Sequence, residues 1–211
     1  MHPLDSVVIF NAPPMSGKDV AAAHIDETIT KVTDIVTVPM MFKEHLYRLA
    51  SVIYNLDYYV VVDYATDRSK KETPTDLFGG LSPRNAIIDI SENVIKPRYG
   101  KRYFGNVCAL NMMSVSNIIT RQKLFVFSDG GFPDEAKPVI ETVGAGKTLV
   151  IRIHREGYEY GSDSRRYMSE DMFEKPPTFI DIYNEEGKID EFFQQCTSKV
   201  LEFINENVKE S

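Results

Sequence analysis

Gly17 and Lys18 close a loop of small residues that follows an apolar run: residues 6–19 read Ser-Val-Val-Ile-Phe-Asn-Ala-Pro-Pro-Met-Ser-Gly-Lys-Asp. Val7 to Phe10 is β-branched and aromatic and is bounded by the turn residues Asn11, Pro13 and Pro14, which suits a buried strand. Ala21, Ala22, Ala23, Ile25 and Ile29 then suit a helix. A loop between a strand and a helix N-terminus aims backbone N–H groups and the positive end of the helix dipole at one spot, where a polyphosphate is stabilised. Gly17 lets the backbone approach the anion and Lys18 reaches the outer phosphates. Against the pattern G-x-x-x-x-G-K-S/T, Ala12 replaces the first Gly and Asp19 replaces the hydroxyl that would bind magnesium. A carboxylate holds Mg²⁺ directly or through water, although it also adds negative charge beside the phosphates. The expected phosphate-binding set is Ala12, Pro13, Pro14, Met15, Ser16, Gly17, Lys18, Asp19 and Val20. The plain alternative is an ordinary strand–helix turn with a surface lysine.

Transfer of a phosphoryl group needs positive charge spread around the moving group and exclusion of water. Cations stand ready in separate segments. Arg84 sits at a helix start, Arg98 and Arg102 flank Tyr99-Gly100-Lys101, and Arg155, Arg165 and Arg166 lie in a charged excursion. Arginine suits such work because its planar fork holds phosphate oxygens in two directions; the plain reading of each is a solvated surface charge. Asp129, at the end of an apolar strand, is placed to hold Mg²⁺ or its waters, or else is a turn-forming Asp before two glycines. Tyr99, Tyr103 and Phe104 would cover a base or serve as core packing. His24, His45 and His154 have no partner visible in sequence and read as structural or exposed.

The elements that must position these groups alternate. Strands are expected at Val32–Val38, Leu124–Phe127, Leu149–Ile153 and Thr178–Tyr183 besides the first. Helices are expected over 41–55, with Phe42, Leu46, Leu49 and Ile53 as the apolar stripe; from Ser82-Pro83 to Pro97, with Ile87, Ile90 and Val94 inward; over Pro133–Val143; and over Ile189–Val208. Tyr58–Tyr64 suits either a strand or a helix, and residues 155–178 read as a mobile excursion. The alternation implies an α/β fold, a mostly parallel sheet with helices on both faces. At 211 residues, with 43% hydrophobic and 26% charged residues, one domain is expected. No apolar run approaches a bilayer span and no leader pattern opens the chain, so the protein is expected to stay in the compartment where it is made, with no membrane partner. The net charge of −7 argues against a nucleic-acid surface. Cys108 and Cys196 lie far apart and read as reduced, semi-buried thiols, which fits a cytoplasm.

Taken in order, Ser16-Gly17-Lys18-Asp19, Leu81-Ser82-Pro83-Arg84, Tyr99-Gly100-Lys101-Arg102-Tyr103-Phe104, Asp129 with Phe132-Pro133-Asp134-Glu135-Ala136, and Val150 to Arg155 followed by Ser169-Glu170 resemble the phage-type deoxynucleoside monophosphate kinases. The resemblance implies a P-loop nucleoside monophosphate kinase fold, ATP with Mg²⁺ as donor, a dNMP as acceptor, and a role in phage DNA synthesis in the host-cell cytoplasm. It implies a single kinase domain with a core of 1–40, 120–154 and 178–211, an acceptor-binding helical region of 41–119 and a lid of 155–177. By position, Lys18 would hold the ATP phosphates, Arg84 the acceptor phosphate, Asp19 and Asp129 the metal, and Arg155 the transferring group. Phe42, Lys43, Arg84, Arg98 and Tyr103 would bind the acceptor. Gly-Lys-Asp is the usual loop ending in this family. Three departures stand out: Val20 in place of Thr, Gly131 in place of an Arg two residues after Asp129, and Arg166 or Tyr167 near the place of a His. The missing Arg implies a changed acceptor, a replacement cation such as Arg121 or Arg98, or lost activity. A catalytically impaired nucleotide-binding or sensor protein, and a kinase of another small phosphorylated metabolite, are therefore the competing readings. Small nucleotides are the expected partners, and a homodimer is a guess from the aromatic content.

Overall fold

The computed structural model describes residues 2, 3, 5–161 and 164–209. Strands β1 Ser6–Asn11, β2 Val36–Met40, β3 Lys123–Gly130, β4 Thr148–His154 and β5 Thr178–Tyr183 form one sheet in the order β2-β3-β1-β4-β5, with every pair parallel. Parallel neighbours require crossovers; α1 Lys18–Val32, α6 Tyr103–Ile118 and α7 Pro133–Val143 lie within them, and with the terminal α8 Ile189–Lys209 they cover the two faces. β1 is central and wholly buried, which is why its sequence is a continuous apolar run. Its side chains still alternate. Val8 and Phe10 pack with Ile25, Ile29, Phe192, Cys196 and Val200 on the α1/α8 side, while Val7 and Ile9 pack with Cys108, Met112, Val139 and Ile140 on the α6/α7 side. This is an α/β fold, a five-stranded parallel sheet with helices on both faces.

A third cluster belongs to the helical insertion. It contains α2 Glu44–Ile53, α3 Tyr58–Thr66, α4 Pro83–Asp89, a π-helical segment Ile90–Ile95, and α5 Lys96–Tyr99. Leu46, Tyr47, Ala50, Val61, Phe78, Ile87, Ile90, Ile95 and Phe104 are its core.

Several expected elements are shifted for identifiable reasons. Val32 ends α1 instead of starting a strand, because the Thr33 N–H and hydroxyl both donate to the Ile29 carbonyl, and β2 begins only at Val36. Pro39 is tolerated because β2 is an edge strand. Tyr58–Tyr64 resolves as helix: Asp57 caps it by accepting the Tyr59 N–H at 2.8 Å. The inward face of α2 is Leu46, Tyr47 and Ala50, whereas Ile53 is largely exposed and Phe42 lies before the helix. After Ile90 the π turn inserts an extra residue, so the buried position moves from Val94 to Ile95; the same segment leads into Pro97, whose missing N–H an α-helix would need.

The stretch expected to be a mobile excursion is partly core. Met168 is fully buried and Phe173 nearly so, both on the α6/α7 side. Ser162 and Asp163, which fall within it, lie outside the described residues. Among the described residues no helix is long and apolar enough to cross a membrane.

Candidate functional site

β1 ends at Asn11 and α1 begins at Lys18, so the intervening loop sits at the C-terminal edge of the central strand. Its shape depends on two left-handed residues, Met15 at φ 69° and Gly17 at φ 99°. Gly17 starts α1 without a side chain to cap it, leaving the first-turn N–H groups to an external acceptor. A Cβ on Gly17 would fall 2.6 Å from Asn184 Nδ2, and that amide donates to the Ser16 carbonyl at 3.0 Å. Asn184, which follows β5, therefore braces the loop from behind. Ser16 Oγ is buried with no hydrogen-bond partner, a costly state that a bound oxyanion would relieve. Lys18 is buried except for a small part, with Nζ 3.4 Å from the exposed Asp19 carboxylate. An orphan hydroxyl, a helix start and an ammonium around one loop fit the phosphates of ATP.

Asp129 ends its strand as expected, but its carboxylate is engaged by backbone. Oδ1 accepts the Phe42 N–H at 2.9 Å and Oδ2 accepts the Lys43 N–H at 3.1 Å. It thus fastens the entry of the helical insertion to the end of β3. Among the described residues no group of three or more His, Cys, Asp or Glu is placed to hold a metal. Asp19 and Asp129 fit Mg²⁺ only as single or water-mediated contacts, the sparse protein coordination usual for a phosphate-held Mg²⁺.

The remaining sequence-derived residues divide. Arg155 is brought to the loop: its Nη1 donates to the Met15 carbonyl at 3.0 Å, and its guanidinium lies 4.7 Å from the centre of the Tyr158 ring. Phe42, expected to contact the acceptor, has its ring in the core, stacked 4.5 Å from Phe127, and offers the site only its N–H. Lys43 likewise contributes its N–H to Asp129. Arg84 pairs with Glu72 at 3.2 Å, Tyr103 shares a hydrogen bond with His45 at 3.2 Å, and Arg98 is exposed on α5. Arg121 lies just before β3, at the opposite end of the sheet from Gly131, so it does not replace a cation there. The histidines that lacked partners in sequence have them in space: His24 stacks 4.4 Å from Phe193, and His154 bonds Asp181. Cys108 and Cys196 are buried free thiols, and burial pushes Cys196 up to about 12.

Sequence reasoning missed three groups. Asn11, buried at the end of β1, accepts the Met168 N–H at 2.6 Å and donates to Tyr160 Oη at 2.8 Å and the Arg166 carbonyl at 3.1 Å, pinning Tyr160, Arg166 and Met168 at the sheet edge. Glu135 is buried beside Lys96, 3.6 Å away; burial pushes its carboxyl up to about 7 against the pull of Lys96, and the Asp129 charge adds to the rise. Lys96 also bonds Glu92 and lies 4.6 Å from the Phe132 ring centre. Tyr47 is buried, its phenol pushed up by burial, then by the charges of Asp129, Tyr58 and Asp19, with Arg165 opposing. The only prior hint of these groups was Glu135 in a helix first turn, a position that reads as dipole complement.

A cavity of about 270 Å³ opens beside the loop, lined by Asp19, Ala22, Asp26, Met40, Met41 and Glu44 among others. Its three carboxylates repel phosphate and leave it to the uncharged part of a ligand.

The sheet order, the loop after β1 and the braced Gly17-Lys18 together give a parallel α/β protein whose central strand ends in a loop suited to an oxyanion. No protein-family model matches the chain, and no curated protein matches it. Among solved structures, a gluconokinase from Sinorhizobium meliloti 1021 aligns over 100% of this chain and 99% of its own, at 11% identity and a TM-score of 0.47. A likeness that shallow says nothing about substrate.

Proposed function

We propose that the protein is an ATP-dependent kinase whose acceptor is a deoxynucleoside monophosphate, serving deoxynucleotide supply in a phage-infected cell. The reading is supported chiefly by the loop itself: the orphan Ser16 hydroxyl, the uncapped start of α1 and buried Lys18 converge where a polyphosphate fits. An acceptor phosphate oxygen would attack the γ-phosphorus, the bond to the β–γ bridging oxygen would break, and ADP would leave. Lys18 and Arg155 would supply positive charge to that transfer, and Asp19 and Asp129 would help hold, directly or through water, a phosphate-bound Mg²⁺ that would supply further charge neutralisation. The helical insertion and residues 155–177 would then act as acceptor region and lid of one domain.

A kinase of another small phosphorylated metabolite is the second reading, and one observation favours it. Phe42 is packed in the core and Tyr103 is tied to His45, so neither aromatic side chain is committed to covering a base.

Lys18→Ala is expected to lower turnover with Mg-ATP by at least about a hundredfold, because it removes a charge aimed at the transition state. Steady-state kinetics on the folded variant check this; retained turnover would show the loop has another use.

A further inference from the structure

We infer that the chain pairs with a second copy of itself along the outer edge of β5, the two sheets joining antiparallel across a two-fold axis and the two α8 helices meeting over the same axis. The inference is independent of the kinase reading.

β5 is an edge strand whose inner side pairs with β4. Among the described residues, no backbone group of Thr178–Tyr183 bonds outside that ladder, so the outer N–H and carbonyl groups form a row open to another strand. Edges are commonly blunted by proline, by lysine or by an inward-pointing charge. The opposite edge, β2, carries Pro39. β5 reads Thr-Phe-Ile-Asp-Ile-Tyr, with neither proline nor lysine, and its one charge, Asp181, is held back by Arg152 and His154. Nothing in its own sequence stops a further strand from adding.

The charges beside that edge select the occupant. A groove of about 290 Å³ is lined by Thr178, Phe179 and Ile180 of β5 and by Lys199, Glu202, Phe203 and Glu206 of α8. α8 thus doubles back along the strand, its later half level with the start of β5. At a rise of 1.5 Å per residue, Lys199 and Glu206 stand about 5 Å to either side of the middle of this helical stretch. A two-fold axis normal to the sheet at that level therefore carries Lys199 of one copy to Glu206 of the other, and does so twice. Glu202, nearest the axis, is already neutralised by Lys199 of its own chain at 2.7 Å. The same axis keeps each face of the sheet on one side, so residues opposite one another share a face. With Ile180 opposite Ile180, Thr178 meets Ile182 and Phe179 meets Asp181, whereas a centre at Asp181 would set two carboxylates against each other. An extended segment of an unrelated chain would find the same edge without this reciprocal charge pattern, which is the mark of an isologous contact.

Sedimentation equilibrium of the full chain over about 1–100 μM measures the association. The mass is expected to rise towards twice 24.0 kDa. Lys199→Glu and Glu206→Lys each set like charges together on both sides of the axis, and each is expected to raise the dimer Kd at least about tenfold. Combined, they restore opposite charges and should return the Kd to within about threefold of wild type. Both side chains are solvent-accessible, and a thermal melt checks that every variant folds. Amide hydrogen exchange reads the edge itself: exchange over residues 178–183 is expected to slow as the wild-type concentration rises, while β2 stays unchanged. A monomer across the whole range would overturn the inference. So would exchange in β5 that ignores concentration, or a dimer that the single reversals leave unaltered or the double variant does not rescue, since the copies would then meet elsewhere.

Discussion

Asp129 shows how one side chain fastens two elements together. Its two oxygens hold the Phe42 and Lys43 amides, so the carboxylate sets the angle at which the helical insertion leaves the sheet. Asp129→Ala is expected to destabilise the fold by about 2–4 kcal/mol, since the Phe42 and Lys43 N–H groups both lose their carboxylate acceptor; urea unfolding measures the loss, and a change below about 0.5 kcal/mol would contradict it. The residue was legible in sequence as the end of an apolar strand next to two glycines, but its partners were not, because they lie 86 and 87 positions away. The turn at Gly17 and Lys18 was legible for the opposite reason: its strand, loop and helix are contiguous in sequence. Asn184 and Asn11 were invisible because a lone amide gains meaning only from the loop or strand folded against it.

At the scale of elements, local signals worked where turn residues bracket a strand or a helix carries its own cap. β5 and α7 have the ends their sequence implied, and Ser82 caps α4 by accepting the Asn85 N–H. Periodicity misled where geometry departs from 3.6 residues per turn, as in the π segment that buries Ile95 in place of Val94. It was silent for α6, whose apolar residues occur on exposed as well as buried faces, with Leu110 and Met113 outward and Cys108 and Met112 inward. The α6/α7 crossing hangs on Gly105. A Cβ there would fall 2.1 Å from the Glu135 carbonyl oxygen, which is backbone and cannot rotate away. Gly105→Ala is expected to destabilise by about 3 kcal/mol or more despite its better helix propensity. Differential scanning calorimetry reads the change, and an unaltered or raised Tm would show that the two helices are free to separate.

For the whole molecule, buried Glu135 joins the helical insertion to the sheet through Lys96, with Asp129 and Lys43 also acting on its charge. The folded carboxyl is raised to about 7 from an ordinary 4.5. Between those values the native state keeps a proton that the unfolded chain has released, so stability is expected to fall as pH rises through that window, by on the order of 3 kcal/mol. Below it both states are protonated and above it both are ionised, so the slope from this group vanishes. Glu135→Gln, neutral throughout, should flatten the pH dependence of the Tm; an equal slope in both proteins would assign the titration elsewhere. The parallel sheet and its two covering layers were readable from strand–helix alternation, whereas the docking of residues 164–173 was not, because isolated Met168 and Phe173 in a charged stretch carry no period. All of these parts converge on the loop between β1 and α1. Its use is tested most directly by measuring ADP release from Mg-ATP with each dNMP and rNMP, 5-hydroxymethyl pyrimidine nucleotides and non-nucleotide phosphorylated metabolites in turn, with Lys18→Ala as control. Lys18-dependent release with a deoxynucleotide is the expected result, and silence across the panel while ATP still binds would contradict the kinase assignment.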